Sequence, residues 1–81
     1  MFVNFADNWY GDVRTIHSIC KYNSNFPTPT FQIKLCVIER YNDHGQPQAT
    51  PHFATFDNIE ERDEEFQRMV DIISVNCNES L

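Results

Sequence analysis

The clearest pattern of hydrophobic and polar positions lies between Asp57 and Val75. Apolar residues recur there within about 100° of arc at 3.6 residues per turn, and they are Ile59, Phe66, Met69, Val70 and Ile73. Asp57 is a residue type that caps helices, and Glu60 follows three positions later, as in a capping box. The pattern therefore predicts one amphipathic helix over residues 57–75 and a fraying polar tail over residues 76–81.

Strict alternation over residues 31–41 predicts the strongest strand of the chain. One face carries Phe31, Ile33, Leu35 and Val37, and the other carries Gln32, Lys34, Cys36, Ile38 and Arg40. Residues 42–45 predict a turn, in which Gly45 is available for a positive φ. Residues 46–56 predict a return strand that is most regular from His52 to Phe56, because Pro47 and Pro51 make its first half irregular or an edge.

The first thirty residues give weaker patterns. Residues 1–5 predict a short strand, and residues 6–12 predict a turn because they contain Asp, Asn and Gly. Residues 13–22 are ambiguous, since Trp9, Val13, Ile16 and Cys20 have helical spacing while the content of Thr, Ile and Tyr favours a strand. We predict a strand, because the next strand needs a partner. Residues 23–30 predict a loop with two prolines.

Together these elements predict an α+β fold, in which a small antiparallel sheet of three to four strands packs against one C-terminal amphipathic helix. The 81 residues form a single domain, with a β meander over residues 1–56, the acidic helix over residues 57–75 and the tail over residues 76–81. The face with Phe31 to Val37 meets the helix. The opposite face, with Lys34 and Cys36, is either solvated or available to a partner.

The net charge of −6 is distributed unevenly. Residues 1–56 contain four acidic and four basic residues, whereas residues 57–81 contain eight acidic residues and two arginines. All of the net charge therefore lies in the last 25 residues. This placement argues against direct binding to nucleic acid or to anionic membranes, both of which need surface cations. It favours a protein partner with a basic surface.

The cysteines and the N-terminus bear on the cellular compartment. Three cysteines are present, and no two have C-x-x-C spacing. The first residues lack the basic region and apolar core of a signal peptide, and no apolar run approaches the roughly 18–20 residues of a membrane span. We therefore expect a cytoplasmic protein with reduced thiols, or one in the host cytoplasm if the source is viral.

No catalytic or metal-binding motif is recognisable in the chain. The candidate metal ligands lack the paired short spacing of zinc sites, and they are His17, His44, His52, Cys20, Cys36 and Cys77. Two glycines are too few for a phosphate-binding loop. We expect no enzyme activity, no cofactor and no metal.

Two groups of residues are candidates for binding a partner. The first is the set of carboxylates on the polar side of the predicted helix, namely Glu60, Glu61, Glu64, Glu65 and Asp71. The alternative for this set is an ordinary solvated face, in which Arg68 pairs with Glu64. The second group is Trp9 and Tyr10, which are residue types common at interface hot spots. The alternative for Trp9 is a role in the core.

These observations favour an interaction module that binds without catalysis. In its small size, acidity and lack of catalytic motifs, the chain is similar to phage-encoded inhibitors of host defence, including anti-CRISPR and anti-restriction proteins. That resemblance implies occupation of a basic, nucleic-acid-binding surface by helix carboxylates that replace phosphates. The alternatives are a structural or assembly subunit, including a homodimer through the strand edge at His52 to Phe56, and a small enzyme or ligand-binding domain with a pocket between helix and sheet.

Overall fold

The computed structural model describes residues 1–25 and 28–79, and it describes side chains as far as Asn76. Within these residues, two antiparallel sheets and a C-terminal helix confirm the predicted α+β class. The elements in chain order are β1 (Phe2–Phe5), β2 (Trp9–Asp12), a short 3-10 helix (Val13–Thr15), β3 (Ile16–Ser24), β4 (Thr30–Tyr41), β5 (Pro47–Phe56) and α1 (Ile59–Glu79). The predictions for residues 26, 27, 80 and 81 and for the Cys77 thiol lie outside the described part of the chain.

The central strand of the larger sheet is β4, which pairs with β3 on one side and with β5 on the other. Ile33, Leu35 and Val37 on this strand are completely buried and share one core with Met69 of α1. The face predicted to meet the helix is therefore confirmed. The predicted turn after β4 is also confirmed, because Gly45 has φ +77° and its N–H donates to the Asn42 carbonyl at 3.0 Å.

The other face of this sheet contributes nothing to the buried core, and we call it the open face. Residues directly opposite each other in an antiparallel ladder project from the same face. By this register, the described strand positions of the open face are Ser18, Cys20, Tyr22, Ser24, Thr30, Gln32, Lys34, Cys36, Ile38, Ala49, Pro51, Phe53 and Thr55. The ladder shifts register between Ile38 and Arg40, so the alternation that predicted Arg40 on this face ends at Ile38.

A second, two-stranded sheet corrects the prediction of a turn over residues 6–12. The turn covers Ala6 to Asn8, and Trp9–Asp12 forms β2, which pairs with β1. The physical reason is that β1 buries Val3 and Phe5 in the same core, and β2 is the neighbour that completes its ladder. Gly11 is required there, because a Cβ at this position would lie 2.5 Å from Cζ2 of the Trp9 indole.

The ambiguous segment over residues 13–22 divides into two elements. Its first three residues form the 3-10 helix, which Asp12 caps by accepting a hydrogen bond from the Arg14 N–H at 2.9 Å. Its remainder belongs to β3, as predicted, and this strand continues to Ser24. The described start of the predicted loop is therefore extended strand, because residues 22–24 continue the ladder with β4.

The helix begins and ends later than the hydrophobic pattern predicts. Asn58 is the N-cap residue, since its Oδ1 accepts a hydrogen bond from the Glu61 N–H at 2.8 Å. The prediction that Asp57 caps the helix is wrong, because Asn58 has the three-residue spacing to Glu61 that a capping side chain uses. At the other end, the helix continues to Glu79, four residues beyond the predicted end at Val75.

The inward face of α1 is rotated relative to the predicted stripe. Met69 is completely buried and Phe66 and Ile73 are partly buried against the core, as predicted. Ile59 is 43% exposed, whereas Arg62 is only 4% exposed. The reason is angular, because at 100° per residue Arg62 lies near the centre of the inward arc and Ile59 lies about 60° from it.

Candidate protein-interaction surface

The outward side of α1 carries a row of carboxylates along the line opposite Met69. Glu60, Glu64 and Asp71 are all exposed and lie within about 40° of arc and about 16 Å along the helix axis. Glu61 is exposed beside this row. We call these four residues the acidic face. Four of the five helix carboxylates predicted as binding residues therefore share one exposed surface.

The acidic face is not neutralised by cations of the same chain. Four of the six described lysine and arginine side chains pair with other acids, namely Arg14 with Asp12, Lys21 and Arg62 with Asp63, and Arg68 with Glu65, and no ion pair joins the other two to this face. The predicted pair between Arg68 and Glu64 is therefore wrong. Within the described residues, Glu60, Glu61 and Glu64 make no ion pair, and Asp71 accepts one hydrogen bond from Gln67 Nε2 at 2.8 Å. This surface presents its full negative charge to solvent.

Glu65, the fifth predicted carboxylate, is engaged within the fold. Its side chain is 14% exposed, and its Oε1 accepts a hydrogen bond from Arg68 Nε at 2.6 Å. Its Oε2 accepts from the backbone N–H of Ala6 at 2.8 Å. Arg68 also donates through Nη2 to the carbonyl of Asn4. Glu65 and Arg68 thus tie the helix to the turn between β1 and β2.

That turn has an unfavourable backbone conformation. Ala6 and Asp7 have φ values of 48° and 55°, a region that costs an L-residue roughly 1–2 kcal/mol. The Asn8 N–H donates to the Phe5 carbonyl at 2.7 Å, and the Asp7 N–H donates to Asn4 Oδ1 at 2.9 Å. With the bond from Ala6 to Glu65, these contacts offset the strain, which gives Glu65 a structural role.

Trp9 and Tyr10 lie on opposite faces of β2 and do not form one cluster. Trp9 packs against the core, and its Nε1 donates to Glu39 Oε1 at 3.2 Å. His52 Nε2 lies 3.1 Å from the same oxygen. Tyr10 is 69% exposed and stacks on Phe2 with ring centroids 5.6 Å apart. Of the two predicted residues, the structure leaves Tyr10 accessible and uses Trp9 for packing.

Arg62 is a buried charge that the sequence pattern did not reveal. Its Nε donates to Asp63 Oδ1 at 2.7 Å, its Nη1 donates to Asn23 Oδ1 at 2.6 Å, and its guanidinium lies 5.7 Å from the centre of the Phe31 ring. The hydrogen bond from Arg62, with a second from Lys21, lowers the pKa of Asp63 from its ordinary value of 3.8. Through its contacts with Asn23 of β3 and Phe31 of β4, the Arg62 side chain connects the start of α1 to the sheet.

The open face holds a second group of accessible side chains, of which alternation in β4 predicted Gln32 and Lys34 but not Cys20, Tyr22 or Phe53. Cys20, Tyr22, Gln32, Lys34 and Phe53 line a shallow depression of about 550 Å³. The rings of Tyr22 and Phe53 meet edge to face at 6.4 Å, and Lys34 Nζ lies 6.0 Å from the centre of the Phe53 ring. The signal that finds this group is cross-strand register, which needs the pairing of β3 and β5 with β4.

The described residues contain no group of three or more His, Cys, Asp or Glu side chains placed to hold a metal ion. No helix in the described part of the chain is long and apolar enough to cross a membrane.

Comparisons with protein-family models, with curated proteins and with solved structures give no match to this chain. The class that the fold and the surface define is a small two-layer α+β domain with an acidic helix on one side and an open sheet on the other.

Proposed function

We propose that the protein is an interaction module whose acidic face binds a basic surface of a protein partner. The observation that supports this function is the row of Glu60, Glu64 and Asp71, with Glu61 beside it, which no described cation neutralises. Like charges one turn apart, such as Glu60 and Glu64, destabilise an isolated helix by a few tenths of a kcal/mol. Because neither carboxylate makes an ion pair within the described residues, their presence side by side fits a role in binding.

The charge density of the acidic face suits a surface that otherwise binds nucleic acid. Four carboxylates occupy about 16 Å of helix axis, while one strand of duplex DNA carries roughly one charge per 3.4 Å. A rigid helix presents these charges without the entropy loss of ordering a loop. The setting that we propose is a viral or mobile-element inhibitor that occupies such a surface on a host defence protein.

A comparison of two double variants tests the acidic face. Glu60→Gln/Glu64→Gln removes two charges from the face, and Asp7→Asn/Asp43→Asn removes two exposed charges elsewhere. Each chain is immobilised, partners are captured from a lysate of the host cell, and the affinity of the partner captured by the unmodified chain is then measured at several salt concentrations. We expect the first variant to bind at least about tenfold more weakly and with a smaller salt dependence, because charge complementarity dominates such contacts.

The Asp7→Asn/Asp43→Asn variant controls for net charge, since both variants lose the same amount. We expect its affinity to stay within about twofold of that of the unmodified chain, because rim charges away from a contact contribute little. Equal losses in the two variants would show that net charge, and not the acidic face, governs binding. Unchanged affinity in both would reject the proposal.

A further inference from the structure

The depression on the open face has a cation at its centre. Lys34, on the central strand, lies directly opposite Cys20 of β3 and Phe53 of β5. Among the described strand positions of this face, Lys34 is the one charged residue, and none is acidic. No ion pair of the described residues includes Lys34. Its ammonium group is therefore available to an anion from outside the chain.

Two aromatic rings border this cation. The strands β3 and β5 are separated by β4, so their backbones lie about 9.5 Å apart. The ring centroids of Tyr22 and Phe53 are only 6.4 Å apart, so the two side chains lean toward each other across β4. These residues are 52% and 46% exposed. They offer ring surface on which another flat aromatic group can stack.

We propose that this depression binds a small aromatic carboxylate, whose ring stacks on Tyr22 and Phe53 and whose carboxylate accepts hydrogen bonds from Lys34 Nζ and Gln32 Nε2. Gln32 Nε2 carries two hydrogens. One of them is directed at Thr55 Oγ1 at 3.4 Å, which leaves the other for a ligand. The volume of about 550 Å³ lies within the range of roughly 300–1,000 Å³ for small-molecule sites. This site is separate from the acidic face and does not depend on the function proposed for that face.

The net charge of −6 is compatible with one bound anion on this face. The acidic face lies on the outward side of α1, away from the sheet, and a helix with its side chains is about 10–12 Å across. Its carboxylates are therefore farther from Lys34 than the Debye length of about 8 Å at physiological ionic strength. A polyanion would meet a different balance, because each further phosphate finds no second cation among the described strand positions of the open face. One cation thus selects a ligand with one negative charge.

The shape of the depression favours a flat ligand over a flexible chain. The depression is shallow, so it covers one side of a bound molecule. A planar ring presents much of its surface on that one side and has few bonds to immobilise, whereas an alkyl chain loses freedom at every bond that becomes fixed. Because the contact is one-sided, we expect a dissociation constant on the order of 1 mM.

Titration of the isotope-labelled full chain, followed by NMR chemical shifts of the backbone amides, tests the site. The probes are naphthalene-2-carboxylate, the neutral naphthalene-2-carboxamide, and octanoate, which has the carboxylate without the ring. We expect naphthalene-2-carboxylate to bind about three- to fivefold more tightly than either of the other two, because the charge pair and the ring contact each contribute about that much at an exposed site. The largest shifts should lie in β3, β4 and β5 around Lys34.

Substitutions locate the two contacts, and circular dichroism shows whether each variant is folded. Lys34→Gln should weaken binding of naphthalene-2-carboxylate about three- to fivefold and leave binding of the carboxamide unchanged. Tyr22→Ala should weaken binding of both, because both stack on the ring. Arg40→Gln is the matched control, since it removes one exposed cation from the same strand outside the depression. We expect its affinity for the carboxylate to stay within about 1.5-fold of that of the unmodified chain.

Several results would overturn the proposal. Equal affinities of the unmodified chain for the carboxylate and the carboxamide would do so without any variant, as would tighter binding of octanoate. Equal losses in Lys34→Gln and Arg40→Gln would show that net charge, and not Lys34, governs binding. Shifts centred on another surface, or no shifts at about ten times the expected dissociation constant, would also reject the site. A labelled single-stranded oligonucleotide that binds here more tightly than naphthalene-2-carboxylate would identify a polyanion as the occupant and would contradict the selection of one charge.

Discussion

Glu64 and Glu65 are neighbours in the chain, yet they have different surroundings, because they lie 100° apart around the helix. Glu64 is exposed and makes no ion pair within the described residues. Glu65 is mostly buried, pairs with Arg68 and accepts a hydrogen bond from the backbone of Ala6. The comparison shows that a run of acidic residues is not one structural unit, since a rotation of 100° separates an exposed carboxylate from one that the fold engages.

The largest expected effect is on the free energy of unfolding, and it compares a residue on the inward face of α1 with one in the first turn of the same helix. Met69→Ala should lower the free energy of unfolding by about 2–5 kcal/mol, because Met69 is completely buried and the substitution leaves a cavity. Ile59→Ala should cost less than about 1 kcal/mol, because Ile59 is 43% exposed. Urea denaturation measures both values. Similar losses for the two variants would contradict the observed rotation of the inward face.

The next effect tests the two neighbouring glutamates directly. Glu65→Gln should lower the free energy of unfolding by about 1–2 kcal/mol, because it removes the charge that Arg68 pairs with and weakens the bond from Ala6. Glu64→Gln should stay within about 0.5 kcal/mol and can be slightly stabilising, since it relieves repulsion from Glu60. If Glu64→Gln were the more destabilising of the two, the division of roles would be incorrect.

The smallest effect concerns Asp63, which lies between the two sides of the helix. Its pKa is lowered by the hydrogen bond from Arg62 and then by Lys21. Since the folded state binds this proton less readily than the unfolded state, the ion pair stabilises the fold fully above the ordinary pKa of 3.8. The contribution is lost as the pH falls below that value and through the lowered pKa of the folded state.

Urea midpoints at neutral pH and near pH 3 measure this loss. We expect Asp63→Asn to destabilise the protein at neutral pH and to reduce the drop in stability on acidification. Asp43→Asn, in the exposed turn after β4, is the control and should behave like the unmodified chain. An unchanged pH dependence in Asp63→Asn would show that the pairs with Arg62 and Lys21 contribute little.

The two faces of the three-stranded sheet show the same limit as the helix, because the pattern within one element does not reveal the neighbours that other elements supply. Alternation in β4 assigns Ile33, Leu35 and Val37 to one side, and burial in the structure confirms that side as the covered one. Alternation also assigns Lys34 and Cys36 to the other side. It cannot show that Tyr22 and Phe53 join them, because this depends on the register of two other strands.

The fold was predictable where neighbouring residues determine it. The periods of two and 3.6 residues are local properties, so they located β4, β5 and the body of α1. The prediction failed where a distant residue decides the outcome. Trp9 to Asp12 form a strand because they pair with β1, although their composition is typical of a turn. The four exposed carboxylates of the acidic face were predictable, but the structural role of Glu65 was not.

By itself, the sequence determined the α+β class, the inward face of β4 and the concentration of negative charge in the last 25 residues. Tertiary structure decided which charged side chains the fold buries or engages and which it leaves exposed. Arg62 is buried because it lies at the centre of the inward arc of α1, and Glu65 is engaged because the fold brings Ala6, 59 residues away in the chain, to its carboxylate. Such contacts depend on packing between distant segments, and periodicity carries no information about them.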